Sequence, residues 1–219
     1  MSGFLDPSLN RLLSIKTLKY IIGKLIVCVE MMSTDCAAEA QKIANNEIVI
    51  RDFLFSRYLD NDDKMQTLGL DDFRFESEAP ENYINGVPQG RADLRVYSID
   101  DFRYRKRYFV IECKRIDGNL TLNREYVNNG IRRFIGSSPK YTSYYKSNGM
   151  FGLLVRTVDV DKTVDCINQL LRDDYSDIPV RDYLHLGMDF DFYLSAHGDE
   201  KSSQVILVHA FADCSKLVN

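Results

Sequence analysis

Residues 91–115, RADLRVYSIDDFRYRKRYFVIECKR, put an acid on one strand-like segment and an acid and a base, two residues apart, on the next. Side chains of an extended chain alternate between faces, so Val110, Glu112 and Lys114 point one way while Phe109, Ile111 and Cys113 point the other, into a core. On the preceding segment Ala92, Leu94 and Val96 share one face, and Asp93 lies opposite with Arg95. Pairing of the two segments through the connection around residues 99–106 brings Asp93 and Glu112 together beside Lys114. Two carboxylates held close repel, and a partly buried Lys requires a partner. A hard divalent cation resolves the conflict. Mg²⁺, with Mn²⁺ substituting, takes carboxylate and carbonyl oxygens and retains waters, which makes Asp93, Glu112 and the backbone carbonyl of Cys113 a candidate ligand set. Lys114 then lies beside the reacting water, orienting or deprotonating it and offsetting charge on a phosphoryl group. Repulsion between the two acids predicts that Asp93→Asn raises the melting temperature without metal, by about 1 kcal/mol of stability.

The elements that must position these residues follow from periodicity. Apolar residues recur at three and four spacings in LNRLLSIKTLKYIIGKLIVCVEMM and in NNEIVIRDFLFSRYL, which predicts helices over the first sixty residues, with Asp35 as a cap between them. From Phe73 the period becomes two, through FRFESE, RADLRVY and RYFVIECK, with turns at NGVPQG and SIDDF, a three-stranded meander. A helix over about 121–136 follows, with Tyr126, Val127, Gly130, Ile131 and Phe134 on one face. After the loop GSSPKYTSYYKSNG, whose tyrosines offer stacking surfaces to bases, the run GMFGLLV reads as a strand buried on both faces. The helix VDKTVDCINQLLRDDY and the late strands MDFDFYLSAH and QVILVHAFAD complete the chain. This order is that of an α/β sandwich in one domain over 1–219: a helical part to residue 60, a central part over 70–156, and a C-terminal helix and strands over 157–219.

Composition narrows the function classes. The chain has 219 residues and a net charge of −4, yet residues 91–146 hold 13 Lys and Arg against 6 Asp and Glu, a local +7 against −11 elsewhere. Phosphate contacts need such clustering. Arg91, Arg103, Arg105, Lys106 and Arg107 are the candidates, the last four also reading as a solvated turn. Cys28, Cys36, Cys113, Cys166 and Cys214 lack disulfide or CxxC spacing and read as reduced thiols; His185, His197 and His209 lack zinc-site spacing and read as structural. The apolar run YIIGKLIVCVEMM is interrupted by Lys24 and Glu30, so no membrane span or signal peptide is expected and the cytoplasm is the expected location.

GRADLRVY followed by ECK resembles the PD-(D/E)XK nuclease superfamily, with the restriction-endonuclease-like fold, over roughly residues 45–156. The resemblance implies a mixed central sheet flanked by helices, Asp93 as the motif acid and Glu112-x-Lys114 as the E-x-K element; the Pro of the motif is replaced by Ala92. It implies further that Glu47, on the helix NNEIVIRDFL, adds a carboxylate, with Glu78 as a rival, and that the helix NREYVNNGIRRF sets Tyr126 near the metal and Arg132 and Arg133 near phosphate, although Tyr126 also reads as a packing residue. The implied function is Mg²⁺-dependent hydrolysis of phosphodiester bonds in DNA, with RNA a less favoured substrate, in phage defence, restriction or repair. A homodimer built on the N-terminal helices, or a larger nuclease or defence complex, is the implied assembly. Two alternatives stay open: a non-catalytic nucleic-acid-binding or regulatory module on the same fold, and a nuclease directed to RNA or activated by a nucleotide.

Overall fold

A computed structural model describes residues 7–101, 103–136, 139–141, 144–188, 191–198 and 204–219. A long helix, α1 (Pro7–Ala38), is followed by α2 (Glu47–Leu54), a π-helical turn (Phe55–Leu59) and α3 (Asp62–Leu68). Three strands come next, β1 (Phe73–Ile84), β2 (Val87–Ser98) and β3 (Phe109–Ile116). The rest is α4 (Leu120–Asn128), a 3₁₀ turn (Ile131–Phe134), β4 (Ser147–Leu154), α5 (Val160–Asp173), β5 (Val180–Leu186), β6 (Tyr193–His197) and β7 (Val205–Asp213). The strands form one mixed sheet in the order β1-β2-β3-β4-β7-β6-β5, parallel between β3 and β4 and between β4 and β7 and antiparallel elsewhere. The chain is therefore α/β, with helices on both faces of the sheet.

The two faces have separate cores. Leu18, Ile22, Leu25 and Val29 of α1 pack with Ile50 and Leu54 of α2 and with Leu94, Ile111, Phe151 and Val208 of the sheet. Tyr126 and Val127 of α4 and Val164, Ile167, Leu170 and Leu171 of α5 pack with Val110, Met150 and Leu207 from the other side. Every residue of β4 is buried, as expected of a strand covered on both faces. Gly149 lets α1 approach closely: a Cβ there would lie 2.9 Å from Ile22 Cδ1 and 3.0 Å from Ile111 Cγ1. The apolar content that suggested a dimer built on the N-terminal helices is thus largely accounted for inside the chain. Among the described residues of α1, Leu12, Leu13, Tyr20 and Val27 are the large apolar side chains left exposed.

Several sequence expectations change. Asp35 is no cap; it lies within α1, and its carboxylate accepts from Tyr58 Oη at 2.7 Å. Asn46 caps α2 instead, accepting from Ile48 N and Val49 N. The helix expected over 121–136 breaks at Asn129-Gly130 and resumes as a 3₁₀ turn, since Asn and Gly are weak helix formers. The turn expected over NGVPQG shrinks to Asn85-Gly86, with φ of 51° and 80°, the left-handed pair that a two-residue hairpin requires, so β2 starts at Val87. Strand β5 was not anticipated. The strand expected from Met188 begins at Tyr193, and residues 189 and 190 of that expectation lie outside the described residues. Among the described residues no helix is long and apolar enough to cross a membrane.

A buried polar chain ties α4 to the far half of the sheet. Tyr126 Oη lies 3.0 Å from His209 Nδ1, and Ser195 Oγ lies 2.8 Å from both His209 Nε2 and His197 Nε2. Burial pushes the His197 pKa down to about 4, and burial together with His197 pushes His209 well below its usual value. The unfolded chain therefore binds more protons, and stability falls as pH drops from about 6.5 toward 4. Glu112, raised as described below, works in the opposite direction over the same range. Replacing His197 with Gln removes one contribution only, so from pH 7 to pH 5 this variant should lose about 2 kcal/mol less stability than the wild type, measured by urea denaturation.

Candidate functional site

The site forms where β2 and β3 part. Their ladder pairs Leu94 with Ile111, Arg95 with Val110 and Val96 with Phe109, and the next available donor on β3, Cys113 N, goes to the Asp93 side chain, Oδ2 at 2.8 Å. Strand β1 continues alongside β2, and Glu78, across from Asp93 in that register, has φ of 51°. The strand changes face here. Leu94 and Val96 pack with the α1 side while Ala92 packs with the α4 side, which corrects the expectation of one shared face.

Helix α2 supplies two more charges from one face, Glu47 and Arg51, four residues apart. The Lys114 ammonium is ringed by oxygens: Glu47 Oε1 at 2.7 Å, the Cys113 carbonyl at 2.7 Å, Glu112 Oε1 at 2.8 Å and Asp93 Oδ2 at 3.8 Å. Burial opposes its charge, but Glu112, Asp93 and Glu47 outweigh that and hold its pKa above the usual value, so Lys114 is a cation at neutral pH rather than a base. Arg51, only 2% exposed, donates to Asp93 Oδ1 at 2.7 Å and Asp52 Oδ1 at 2.7 Å and pairs with Glu78 Oε1. Glu47 Oε2 accepts from Arg115 N at 3.1 Å. Glu47 thus joins the Lys114 group and Glu78 the Arg51 group.

Glu112 is fully buried. Burial and the nearby Asp93 push its pKa up to about 8, against the pull of Lys114 and Arg133. Its Oε1 lies 2.8 Å from the Lys114 ammonium and 3.1 Å from the Arg133 guanidinium. Its Oε2 lies 2.5 Å from Tyr141 Oη, which also lies 2.8 Å from the Arg91 carbonyl. A phenol has one hydrogen. When it donates to the carbonyl, the short contact with Glu112 is satisfied by a proton on the carboxyl, in keeping with the raised pKa.

The site brings Asp93, Glu112, Lys114, Glu47, the Cys113 carbonyl and Arg133 together. Arg91 opens to solvent, 3.9 Å from Glu78. Tyr126 is not available to nucleic acid or metal: it is fully buried and its hydroxyl meets His209. Arg132 turns outward to Asp177, at 2.8 and 2.9 Å, and does not join Arg133. Arg103, Arg105 and Lys106 are exposed on the turn before β3, whereas Arg107 pairs with Asp101 and stacks on Tyr104. Lys114 lies roughly 16 Å further along the strand from Phe109, so this turn sits at the opposite end of β3 from the carboxylates. Arg95 does not accompany Asp93; it pairs with Glu81 and lies over Tyr108. Of the loop tyrosines, Tyr141 faces the site and Tyr145 meets Asp101, while Thr142 and Ser143 lie outside the described residues.

Among the described residues no three His, Cys, Asp or Glu side chains stand together as a ready metal cluster. Lys114, Arg51 and Arg133 draw the carboxylates onto themselves. Arg51 and Tyr141 were missed in the sequence reading. Arg51 was detectable as a charge four residues after Glu47 on a helix face shared with Leu54, whereas Tyr141 lies in an aperiodic loop that gives no signal. Compared with known proteins, the chain matches no family model, no curated protein and no solved structure.

Proposed function

We propose that this chain is a divalent-cation-dependent nuclease of the PD-(D/E)XK type, hydrolysing phosphodiester bonds of DNA. The observation that carries the reading is the oxygen ring of Glu47, Asp93, Glu112 and the Cys113 carbonyl around the Lys114 ammonium. An all-oxygen set of three carboxylates and a carbonyl suits Mg²⁺ or Mn²⁺, and Glu112 Oε1 already holds a positive charge, the Lys114 ammonium at 2.8 Å. The order α2, α3, β1, β2, β3, α4, β4, with the acid on β2 and E-x-K on β3, supports the restriction-endonuclease-like assignment.

A bound cation supplies positive charge at the phosphoryl group and acidifies the attacking water. The chain's own residues do the rest. Glu47, Asp93 and Glu112 present their oxygens, and Tyr141 fixes the orientation of Glu112. The Lys114 ammonium, moved off these oxygens, offsets negative charge as the phosphate is attacked. Arg133 reaches the same point from the 3₁₀ turn. Arg91 and Lys140, both exposed, flank the opening and hold the backbone. Replacing either with Gln should lower the slope of log affinity against log salt on duplex DNA by about 0.9, measured across a salt series.

A non-catalytic binding module is the second reading, favoured by the same cations: every carboxylate of the site already has a basic partner. Incubating the protein with supercoiled, linear and single-stranded DNA and with RNA, in Mg²⁺, Mn²⁺ or EDTA, separates the two. The nuclease reading predicts metal-dependent cleavage of DNA; cleavage of none of these substrates in any metal favours the binding module.

A further inference from the structure

The β1–β2 hairpin extends past the end of the β2–β3 ladder. Leu94 is the last residue of β2 paired to β3, whereas β1 and β2 stay paired out to Ile84 and Val87. From Asp93 to Val87 this arm runs about 20 Å, the axial length of about six base pairs. Residues 83–89 are all exposed, and the tip carries Tyr83, Ile84 and Val87 at 60%, 48% and 61% exposure. No acidic residue occurs from Asn82 to Ala92, in a chain where 27% of residues are charged. The last acid before that stretch, Glu81, is buried against Arg95 and Tyr108.

The base of the arm is clamped to the site. Asn82 Nδ2 donates to the Pro139 carbonyl. Lys140 and Tyr141 pack so closely over Gly90 that a Cβ there would lie 3.2 Å from each. Tyr141 links the Arg91 carbonyl to Glu112. An acid-free ribbon, anchored at its base, with apolar side chains at its tip and Arg91 and Lys140 at its root therefore projects beside the carboxylates.

We infer that this arm enters the major groove of duplex DNA and sets the substrate class as B-form duplex; the inference rests on the nuclease reading. The major groove, about 12 Å wide, admits a two-stranded ribbon in undistorted B-form DNA, whereas the minor groove, about 6 Å wide, takes one only where the duplex is bent and the groove opened. Apolar tip residues suit thymine methyl groups, and the absence of carboxylates removes repulsion from phosphate. The deep, narrow major groove of an RNA duplex excludes the arm, and a single strand has no groove to offer it. Three tip side chains fall well short of the roughly 800 Å² per partner of a stable protein interface, which disfavours a second copy as the occupant.

The test is binding in EDTA to a DNA duplex of about three helical turns, to one of its strands and to the matching RNA duplex, by the wild type and by the triple variant Tyr83→Ser, Ile84→Ser, Val87→Ser. Melting curves confirm that the variant folds. The variant should bind duplex DNA at least tenfold more weakly, with its salt slope unchanged because no charge is lost, and should bind the single strand as the wild type does. Equal duplex affinity of the two proteins, or an equal loss on all three nucleic acids, overturns the role of the arm alone. A wild-type dimer that the variant converts to monomer also overturns it. Failure of the wild type to bind any of the three overturns the inference together with the reading beneath it.

Discussion

Lys114→Met should reduce metal-dependent DNA cleavage by about 10³-fold, the scale of losing a charge that acts on the transition state. In EDTA it should also destabilise the fold by about 3 kcal/mol, because Glu47, Glu112 and Asp93 lose the buried cation they share. Millimolar Mg²⁺ should recover most of that stability, since a cation that binds only the folded state stabilises it by mass action and here enters a ring vacated by the ammonium. The wild type should gain less from Mg²⁺, because Lys114 already neutralises the same oxygens. Single-turnover cleavage and melting curves with EDTA and with Mg²⁺ check both parts. Wild-type cleavage by the variant would remove Lys114 from the chemistry.

Asp93→Asn should lower the melting temperature in EDTA, by about 3 kcal/mol of stability, the reverse of the rise that repulsion between Asp93 and Glu112 alone predicts. The sign changes because of Arg51. Its guanidinium is 2% exposed and donates to Asp93 Oδ1 at 2.7 Å, so removing the carboxylate charge leaves a buried cation partly uncompensated. Relief of Glu112 offsets only part of that cost, since Lys114 and Arg133 already face Glu112. Pairing the substitution with Arg51→Met removes both partners, and the double variant should be less destabilised than the sum of the two single variants by 1 kcal/mol or more, a coupling expected of residues in one ion pair. Additive losses in urea denaturation would show that Arg51 and Asp93 do not act as a pair.

The strand-borne part of the site was readable from period-two alternation. Glu112 and Lys114 alternate with Ile111 and Cys113 on β3 as the pattern of YFVIECK requires, whereas on β2 the alternation of RADLRVY breaks at Asp93, with Ala92 and Leu94 packed on opposite sides of the sheet; the burial of GMFGLLV followed from its unbroken apolar run. What escaped was information that no local pattern holds. The Arg51–Asp93 pair joins residues 42 apart in sequence, so the charge balance that reverses the Asp93→Asn prediction appears only once α2 lies against the sheet. Tyr141 reaches Glu112 from a loop, where neither period two nor period 3.6 applies. Strand β5 carries register shifts against β6, and these blur its alternation. Tyr126, placed near the metal by resemblance, lies at a helix position whose apolar neighbours Val127 and Ile131 share its core, and burial took it out of reach.

Calorimetric titration of Mn²⁺ into the wild type, Lys114→Met and Glu112→Gln tests most directly whether the oxygens that now hold an ammonium form a divalent-cation site. The account predicts saturable binding of a single ion per chain by the wild type, binding about tenfold tighter by Lys114→Met because a competing and repelling charge is gone, and binding weakened to near loss by Glu112→Gln. No saturable binding by the wild type, or identical isotherms for all three proteins, would contradict it.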